Sequence, residues 1–105
     1  GVDDTGYDVK FFGATSGRFM RWDESDDSLK FTDNARIKIG TGNDLNIYND
    51  GTNSYIATNN TSGNFIITQN VDDADLVLKC DDGSGGNATY FKVYTDIGSN
   101  DSCEG

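Results

Sequence analysis

Apolar side chains occur along this chain in short runs, most of which alternate with polar residues. No window places apolar residues at positions i, i+3, i+4 and i+7 over two turns, so the pattern lacks the period of an amphipathic helix. Alternation with a period of two puts apolar side chains on one face of a β-strand. Six such triplets occupy residues 29–31, 37–39, 45–47, 65–67, 76–78 and 91–93.

The middle residue of each triplet indicates how the opposite face of the strand is solvated. It is Lys or Asn in four of the six triplets, which predicts that this face meets water. The triplets at 65–67 and 76–78 are apolar throughout. We therefore expect both to be strands buried on both faces.

Three turn sequences rich in Gly, Asn or Asp predict β-hairpins. Residues 13–17 have glycine at both ends, and residues 81–87 form a glycine-rich loop. Asp50-Gly51 supplies the positive φ that a tight turn needs. The predicted hairpins join residues 8–12 to 18–22, 44–48 to 54–57 and 75–80 to 90–94.

These elements predict an all-β fold of eight or nine short antiparallel strands with essentially no helix. We expect one β-rich domain at 1–98, with an N-terminal hairpin at 7–23, repeat-like strands at 28–94 and a polar tail at 99–105. A weak internal repeat relates DLNIYNDGTNSYI, from Asp44, to DLVLKCDDGSGGNATYFKV, from Asp75.

Composition makes the predicted core thin. Only 34% of the 105 residues are hydrophobic, and each strand offers about two inward side chains, so a single chain buries little apolar surface. Three chains wrapped into a trimeric β-fibre, or a solenoid, would close this layer, whereas a compact sandwich-like monomer needs more core. We expect a homo-oligomer, a trimer or a filament, and favour the homotrimer. The expected inter-chain core residues are Leu29, Phe31, Ile37, Ile39, Leu45, Ile47, Leu76 and Leu78.

Charge excludes several classes of function. With 18 acidic and 8 basic residues the formal charge is −10, which disfavours direct binding to nucleic acid or to anionic membranes. The chain has no histidine, which excludes His-based catalytic triads and His-ligated zinc. No apolar run is long enough for a transmembrane helix, so we expect no membrane insertion. Among 18 acidic residues some carboxylates lie close together by chance, so a pair of them does not indicate a catalytic site. We expect no enzyme activity.

Three groups of carboxylates fall in predicted loops, at 23–27, 72–75 and 81–82. Calcium is the cation that such oxygen-rich loops would bind. None of the three has the spacing of an EF-hand or of a nonapeptide β-roll, and solvated acidic turns explain them equally well. We expect no cofactor, with calcium as the open alternative.

The two cysteines allow several interpretations. Cys80 ends an apolar run, which favours a buried free thiol, whereas Cys103 lies in the polar tail. A disulfide between Cys80 and Cys103, or between Cys103 and another chain, stays open.

Aromatic residues are spread over several predicted strands. They could line a sugar-binding surface, although aromatic side chains on strands more often pair with their neighbours across the sheet. We favour the interpretation as cross-strand pairs. The residues are Tyr7, Trp22, Tyr48, Tyr55, Tyr90 and Tyr94.

Two stretches resemble repeats of structural and tail-fibre proteins of tailed bacteriophages, especially marine ones. They are GYDVKFFGATSGRFMRWDESDDSLKF at 6–31 and IKIGTGNDLNIYNDGTNSYI at 37–56. The segments GNFIITQN and DDGSGG…YFKV resemble the units that follow, so the resemblance covers most of 1–98. Two departures are the length of 105 residues, where such units usually sit in much longer chains, and the tail at 99–105.

The resemblance implies a non-enzymatic virion component, commonly a homotrimeric β-fibre that attaches to a glycan or protein of the host surface. It implies a location on the virion and no catalytic residues. The alternative is a subunit of a non-viral extracellular filament or adhesin that polymerises through the edges of its β-strands.

Overall fold

The structure is a computed structural model, and it describes residues 1–94. Within them the chain forms three small antiparallel sheets and no α-helix, which confirms the predicted fold class. A single 3-10 turn lies at Glu24–Asp26. The strands are β1 (Val9–Phe12), β2 (Phe19–Asp23), β3 (Ser28–Phe31), β4 (Ile37–Ile39), β5 (Leu45–Asn49), β6 (Ser54–Thr58), β7 (Leu76–Asp81) and β8 (Asn87–Val93).

The chain divides into two compact units. Gly1–Asn64 contains the sheet β1-β2-β3 and the sheet β4-β5-β6, whereas Phe65–Gly105 contains the two-stranded sheet β7-β8. A hydrogen bond of 2.7 Å from the Asn34 N–H to the Asn49 carbonyl joins the segment after β3 to the end of β5. The predicted single domain stays a prediction, and the predicted tail at 99–105 lies outside the described residues.

All three predicted hairpins form. β1 pairs with β2, β5 with β6 and β7 with β8, each antiparallel. β8 begins at Asn87, earlier than predicted, and the register shifts between Leu78 and Lys79. Leu78 pairs with Phe91 and Lys79 with Thr89, so Tyr90 is the extra residue of a β-bulge.

The internal repeat is a repeated turn. Asn49 and Asp81 each accept a hydrogen bond from the N–H of the glycine two residues later, at 2.7 and 2.9 Å. Asp50 accepts bonds from the N–H groups of Thr52 and Asn53, and the equivalent Asp82 accepts from Ser84 and Gly86. These backbone donors lower the pKa of both Asp50 and Asp82.

The prediction for residues 65–67 was wrong. These residues form no strand, and their side chains are exposed. An apolar run becomes a strand only where another strand bonds to it, and none of the eight strands pairs with this segment. The triplet at 76–78 is a strand, but the expectation that it is buried on both faces was wrong. Val77 and Leu78 are exposed in a sheet of only two strands.

The single chain has no apolar core in its described part. No hydrophobic residue among residues 1–94 is buried, and the two buried residues there are polar, Asp23 at 8% and Asn46 at 4% exposure. The sequence predicted a thin core, and the structure has even less, because no apolar side chain of the described residues is buried. The sheets therefore present their apolar faces as open surfaces.

Candidate assembly surface

The sheet β1-β2-β3 carries large apolar side chains on one face, here called the first apolar face. The strand register places them in cross-strand rows, with Val9 opposite Trp22 opposite Leu29 and, in the next row, Phe11 opposite Met20 opposite Phe31. The period of two in each strand brings all six to the same side. Five of the six are exposed, and Met20 is half-buried.

The reverse face of this sheet carries the Phe12–Phe19 ring pair near one end and a network of charged side chains around Asp23 near the other. Asp23 Oδ2 accepts hydrogen bonds from Lys30 Nζ at 2.7 Å and from Arg21 Nη2 at 2.9 Å. Asp23 Oδ1 accepts one from the Ser25 hydroxyl at 2.8 Å. Lys30 also lies 3.1 Å from Asp26. This network satisfies the buried carboxylate and fixes β3 beside β2.

The network shifts the ionisation of its members. Hydrogen bonds from Lys30 and then Ser25 stabilise the carboxylate and lower the pKa of Asp23 to about 2. The hydroxyl of Ser28, followed by Lys30, lowers the pKa of Asp26. Asp23 and Asp26 in turn raise the pKa of Lys30. All three groups are charged at neutral pH.

The sheet β4-β5-β6 has its own apolar face, here called the second apolar face. Ile37 lies opposite Ile47, which lies opposite Ile56, and Ile39 lies opposite Leu45. Ile56 is 64% exposed, although it sits in the middle of its strand. Phe31 of the first apolar face reaches this row, since it lines a groove of about 420 Å³ together with Ile37, Ile47 and Ile56. Within the first unit Phe31 therefore lies near the row of the second apolar face.

Aromatic pairing occupies the reverse face of the second sheet. Tyr48 and Tyr55 lie opposite each other and stack, with ring centroids 4.8 Å apart. The guanidinium of Arg36 lies 3.8 Å from the Tyr48 centroid on the ring face. These ring faces are already in contact with other side chains of the protein. For these two tyrosines the cross-strand interpretation is confirmed.

Asn46 corrects a prediction about this sheet. As the middle residue of its triplet it was expected to meet water, yet it is one of the two buried residues among residues 1–94. Its Nδ2 donates a hydrogen bond of 2.9 Å to the carbonyl of Asn43, which has a left-handed backbone at φ 57°. Asn46 therefore supports the turn between β4 and β5, because it satisfies a carbonyl that the strands leave unpaired.

The second unit repeats the arrangement on a smaller scale. Leu76 lies opposite Val93 and Leu78 opposite Phe91 on one face of the hairpin. Leu76 and Val93 line a shallow pocket of about 320 Å³ with Ile67, so the triplet at 65–67 contributes here without forming a strand. On the reverse face Lys92 Nζ lies 2.8 Å from Asp75 Oδ2, and this contact raises the pKa of Lys92.

The eight expected inter-chain core residues all fall on these apolar faces. Leu29 and Phe31 belong to the first apolar face, and four others belong to the second. Leu76 and Leu78 lie on the face of the β7-β8 hairpin. Sequence reasoning missed Val9, Phe11, Met20, Trp22 and Ile56 as members of the same surfaces, although their alternation within the predicted hairpins placed them on these faces.

The acidic loops are not assembled around a common centre. Asp23 is committed to Arg21 and Lys30, and Asp81 and Asp82 accept hydrogen bonds from turn N–H groups. Among residues 1–94 no group of three His, Cys, Asp or Glu side chains could hold a metal ion. Asp23 therefore acts as an ion-pair partner, and Asp81 and Asp82 act as turn acceptors.

Cys80 departs from its predicted environment. It is exposed, because it lies on the uncovered apolar face of the β7-β8 hairpin, where it pairs with Ala88. The prediction that the Cys80 thiol is buried was wrong. Cys103, and with it the open alternative of a disulfide to Cys80 or to another chain, lies outside the described residues.

Comparison with protein-family models, with curated proteins and with solved structures gives no match for this chain. Within the described residues, no helix has the length and hydrophobicity that crossing a membrane requires.

Proposed function

We propose that this chain is a non-enzymatic structural subunit that assembles with copies of itself, as part of a surface appendage of the tail-fibre type on a phage virion. One observation carries the proposal. The first apolar face places six large apolar side chains on one open surface, while no hydrophobic residue in the described part of the chain is buried.

Burial on these faces would supply the missing core. Covering one large apolar side chain is worth about 1.5–3 kcal/mol. Phe31 lines one groove with Ile37, Ile47 and Ile56, so a copy packed over Phe31 would cover residues of both sheets. A homotrimer, in which each chain packs its apolar faces against two neighbours, is the proposed state.

The charged faces suit the outside of such an assembly. The network around Asp23 lies on the side of the first sheet opposite to Trp22 and Leu29. Packing through the apolar face would leave this network in water, so no ion pair would have to be desolvated.

The location and partners rest on the sequence resemblance given above. It supports a role in virion assembly and in attachment to a glycan or protein of the host surface. A net charge of −10 agrees with a role that requires no contact with nucleic acid.

A second candidate function is a subunit of a non-viral extracellular filament or adhesin that polymerises through its strand edges. The observation that favours it is the number of open edges. All strands except β2 and β5 lie at the edge of a sheet.

Native mass spectrometry and electron microscopy of the full chain test the proposal together. We expect a discrete trimer mass and short fibres or spikes of fixed length. Unlimited filaments of variable length would favour the second candidate. A chain that stays at 11.4 kDa and shows no assembly would contradict both.

A further inference from the structure

The lysines of this chain follow the edges of the sheets. The chain has five lysines, and each lies in a different edge strand. Charged side chains, and Lys in particular, are a common device that prevents an edge strand from pairing with another chain. The five are Lys10 in β1, Lys30 in β3, Lys38 in β4, Lys79 in β7 and Lys92 in β8.

β6 is the exception. Of the six edge strands that the structure describes, Ser54–Thr58 is the one without a charged residue. It also lies within a long uncharged stretch, since residues 51–71 contain no Asp, Glu, Lys or Arg, although a quarter of the whole chain is charged. Two copies that both carry a charge of −10 meet the least repulsion where neither has a charged side chain.

The hydrogen-bond pattern leaves β6 ready to accept a strand. The Asn59 N–H bonds to the Asp44 carbonyl and the Asp50 N–H to the Asn53 carbonyl, which marks these as the bonded pairs of the β5-β6 ladder. Bonded and non-bonded pairs alternate in an antiparallel ladder. The backbone groups of Ser54, Ile56 and Thr58 therefore point outward from the sheet.

We propose that β6 is the docking edge for β6 of a second copy of this chain, so that two β4-β5-β6 sheets join into one antiparallel sheet of six strands. This inference rests on the proposed self-assembly and adds one contact to it. A two-fold pair cannot lie within a three-fold trimer, so the β6 pair joins a chain of one trimer to a chain of another. Because the contact uses an edge, it leaves the first apolar face free for the packing described above.

The outward groups determine the register of this pair. In a two-fold antiparallel contact the bonded pairs are Ile56 with Ile56 of the other copy and Ser54 with Thr58 of the other copy. Ile37, Ile47 and Ile56 already form one cross-strand row. The contact extends this row across both copies, and it covers Ile56, the most exposed member of the second apolar face.

Two double variants of the full chain test the register. S54K/T58K places two pairs of like charges directly opposite each other across the contact, whereas S54D/T58K places two pairs of opposite charges there. Both variants lose the same Ser54 hydroxyl, which accepts a bond from Asn49. We expect the association constant of S54K/T58K to lie about tenfold or more below that of S54D/T58K, measured by sedimentation at several concentrations.

Hydrogen exchange of the wild-type chain supplies a direct second measurement. The amides of Ser54, Ile56 and Thr58 should exchange slowly at high protein concentration and rapidly on dilution. The Lys38 amide, which points outward from the opposite edge of the same sheet, is the internal control and should exchange rapidly in both conditions.

The outcomes distinguish a failure of the β6 contact from a failure of the proposed self-assembly. If the wild type associates but the two double variants behave alike, or the Ile56 amide exchanges as fast as that of Lys38, the β6 contact is wrong and the proposed self-assembly still stands. A wild type that is monomeric at every concentration would overturn the proposed function itself.

Discussion

Trp22 and Leu29 lie opposite each other across β2 and β3, and they are 40% and 52% exposed. Such a cross-strand pair normally helps to fill a core. Here both side chains stay open to solvent to this extent, although Val2 and Gly6 of the N-terminal segment line a pocket with Trp22. The pair marks the surface on which the proposed assembly depends.

A charge on this surface should weaken association. We expect Leu29→Lys to lower the association constant about tenfold to a hundredfold, because burial of a leucine side chain is worth about 1.5–3 kcal/mol and the new lysine would have to be desolvated. Sedimentation velocity at several protein concentrations would measure the change. Phe12→Lys is the matched control, since Phe12 is exposed in the same sheet but lies on the opposite face. Equal weakening by both variants would contradict the assignment of the face.

Acid should destabilise the first sheet through Asp23. Its pKa is about 2 in the folded chain and 3.8 ordinarily, so the unfolded chain binds the proton more readily. The resulting stability is fully present above the ordinary pKa, and it is lost as the pH falls from about 5 towards 2. Thermal melts over this range should show a steeper loss of melting temperature for the wild type than for Asp23→Asn.

Glu24→Gln is the control for this pH dependence. It removes the adjacent carboxylate and leaves the bonds from Lys30, Arg21 and Ser25 to Asp23 in place. Its melting profile should keep the wild-type slope. Identical profiles for Asp23→Asn and the wild type would show that the network contributes nothing to the acid response.

The turn between β5 and β6 should be sensitive at Gly51. This residue has φ +99°, and an added Cβ would lie 3.1 Å from Asp33 Oδ2. We expect Gly51→Ala to destabilise the chain by roughly 1–2 kcal/mol in chemical unfolding, because a Cβ is disfavoured at positive φ. Gly17 has φ +82° and open space around an added Cβ. Gly17→Ala therefore measures the cost of positive φ without a steric contact, and it should destabilise the chain less than Gly51→Ala.

Gly6→Ala completes this series. Gly6 lies outside the left-handed region, and its Cβ would make an ordinary contact of 3.6 Å with Glu24. Its stability should stay close to that of the wild type. A Gly51→Ala variant as stable as Gly6→Ala would exclude the strained turn geometry.

Salt should strengthen association. Each chain carries a formal charge of −10, so the copies repel one another, and this repulsion is screened over a Debye length of about 10 Å at 0.1 M salt and about 30 Å at 0.01 M. The association constant should therefore rise between these two conditions. An assembly held by ion pairs between copies would show the opposite trend.

Local signals in the sequence were sufficient for the three hairpins. Asp50-Gly51 and the paired glycines Gly13 and Gly17 mark turns whose backbone demands do not depend on the rest of the fold. Alternation between these turns then placed the apolar residues on one face of each strand. The triplet at 65–67 failed, because a strand also needs a bonding partner, and a run of apolar residues does not reveal whether one exists.

The polar centres were harder to predict. Asp23, Arg21 and Lys30 share one face of β2 and β3, but this becomes visible only once the register sets Arg21 opposite Lys30. Asn46 was missed because its burial depends on the bond to the Asn43 carbonyl at the preceding turn. The exposure of Cys80 and the bulge at Tyr90 likewise depend on how β7 and β8 pair.

Sedimentation equilibrium at micromolar concentration, in moderate salt with calcium present, determines whether the chain self-assembles. We expect a mass several times that of the chain, with a homotrimer as the expected species, and a melting temperature that rises with protein concentration. A folded species of 11.4 kDa that melts cooperatively and independently of concentration would contradict the proposed self-assembly, because the open apolar faces would then need no partner.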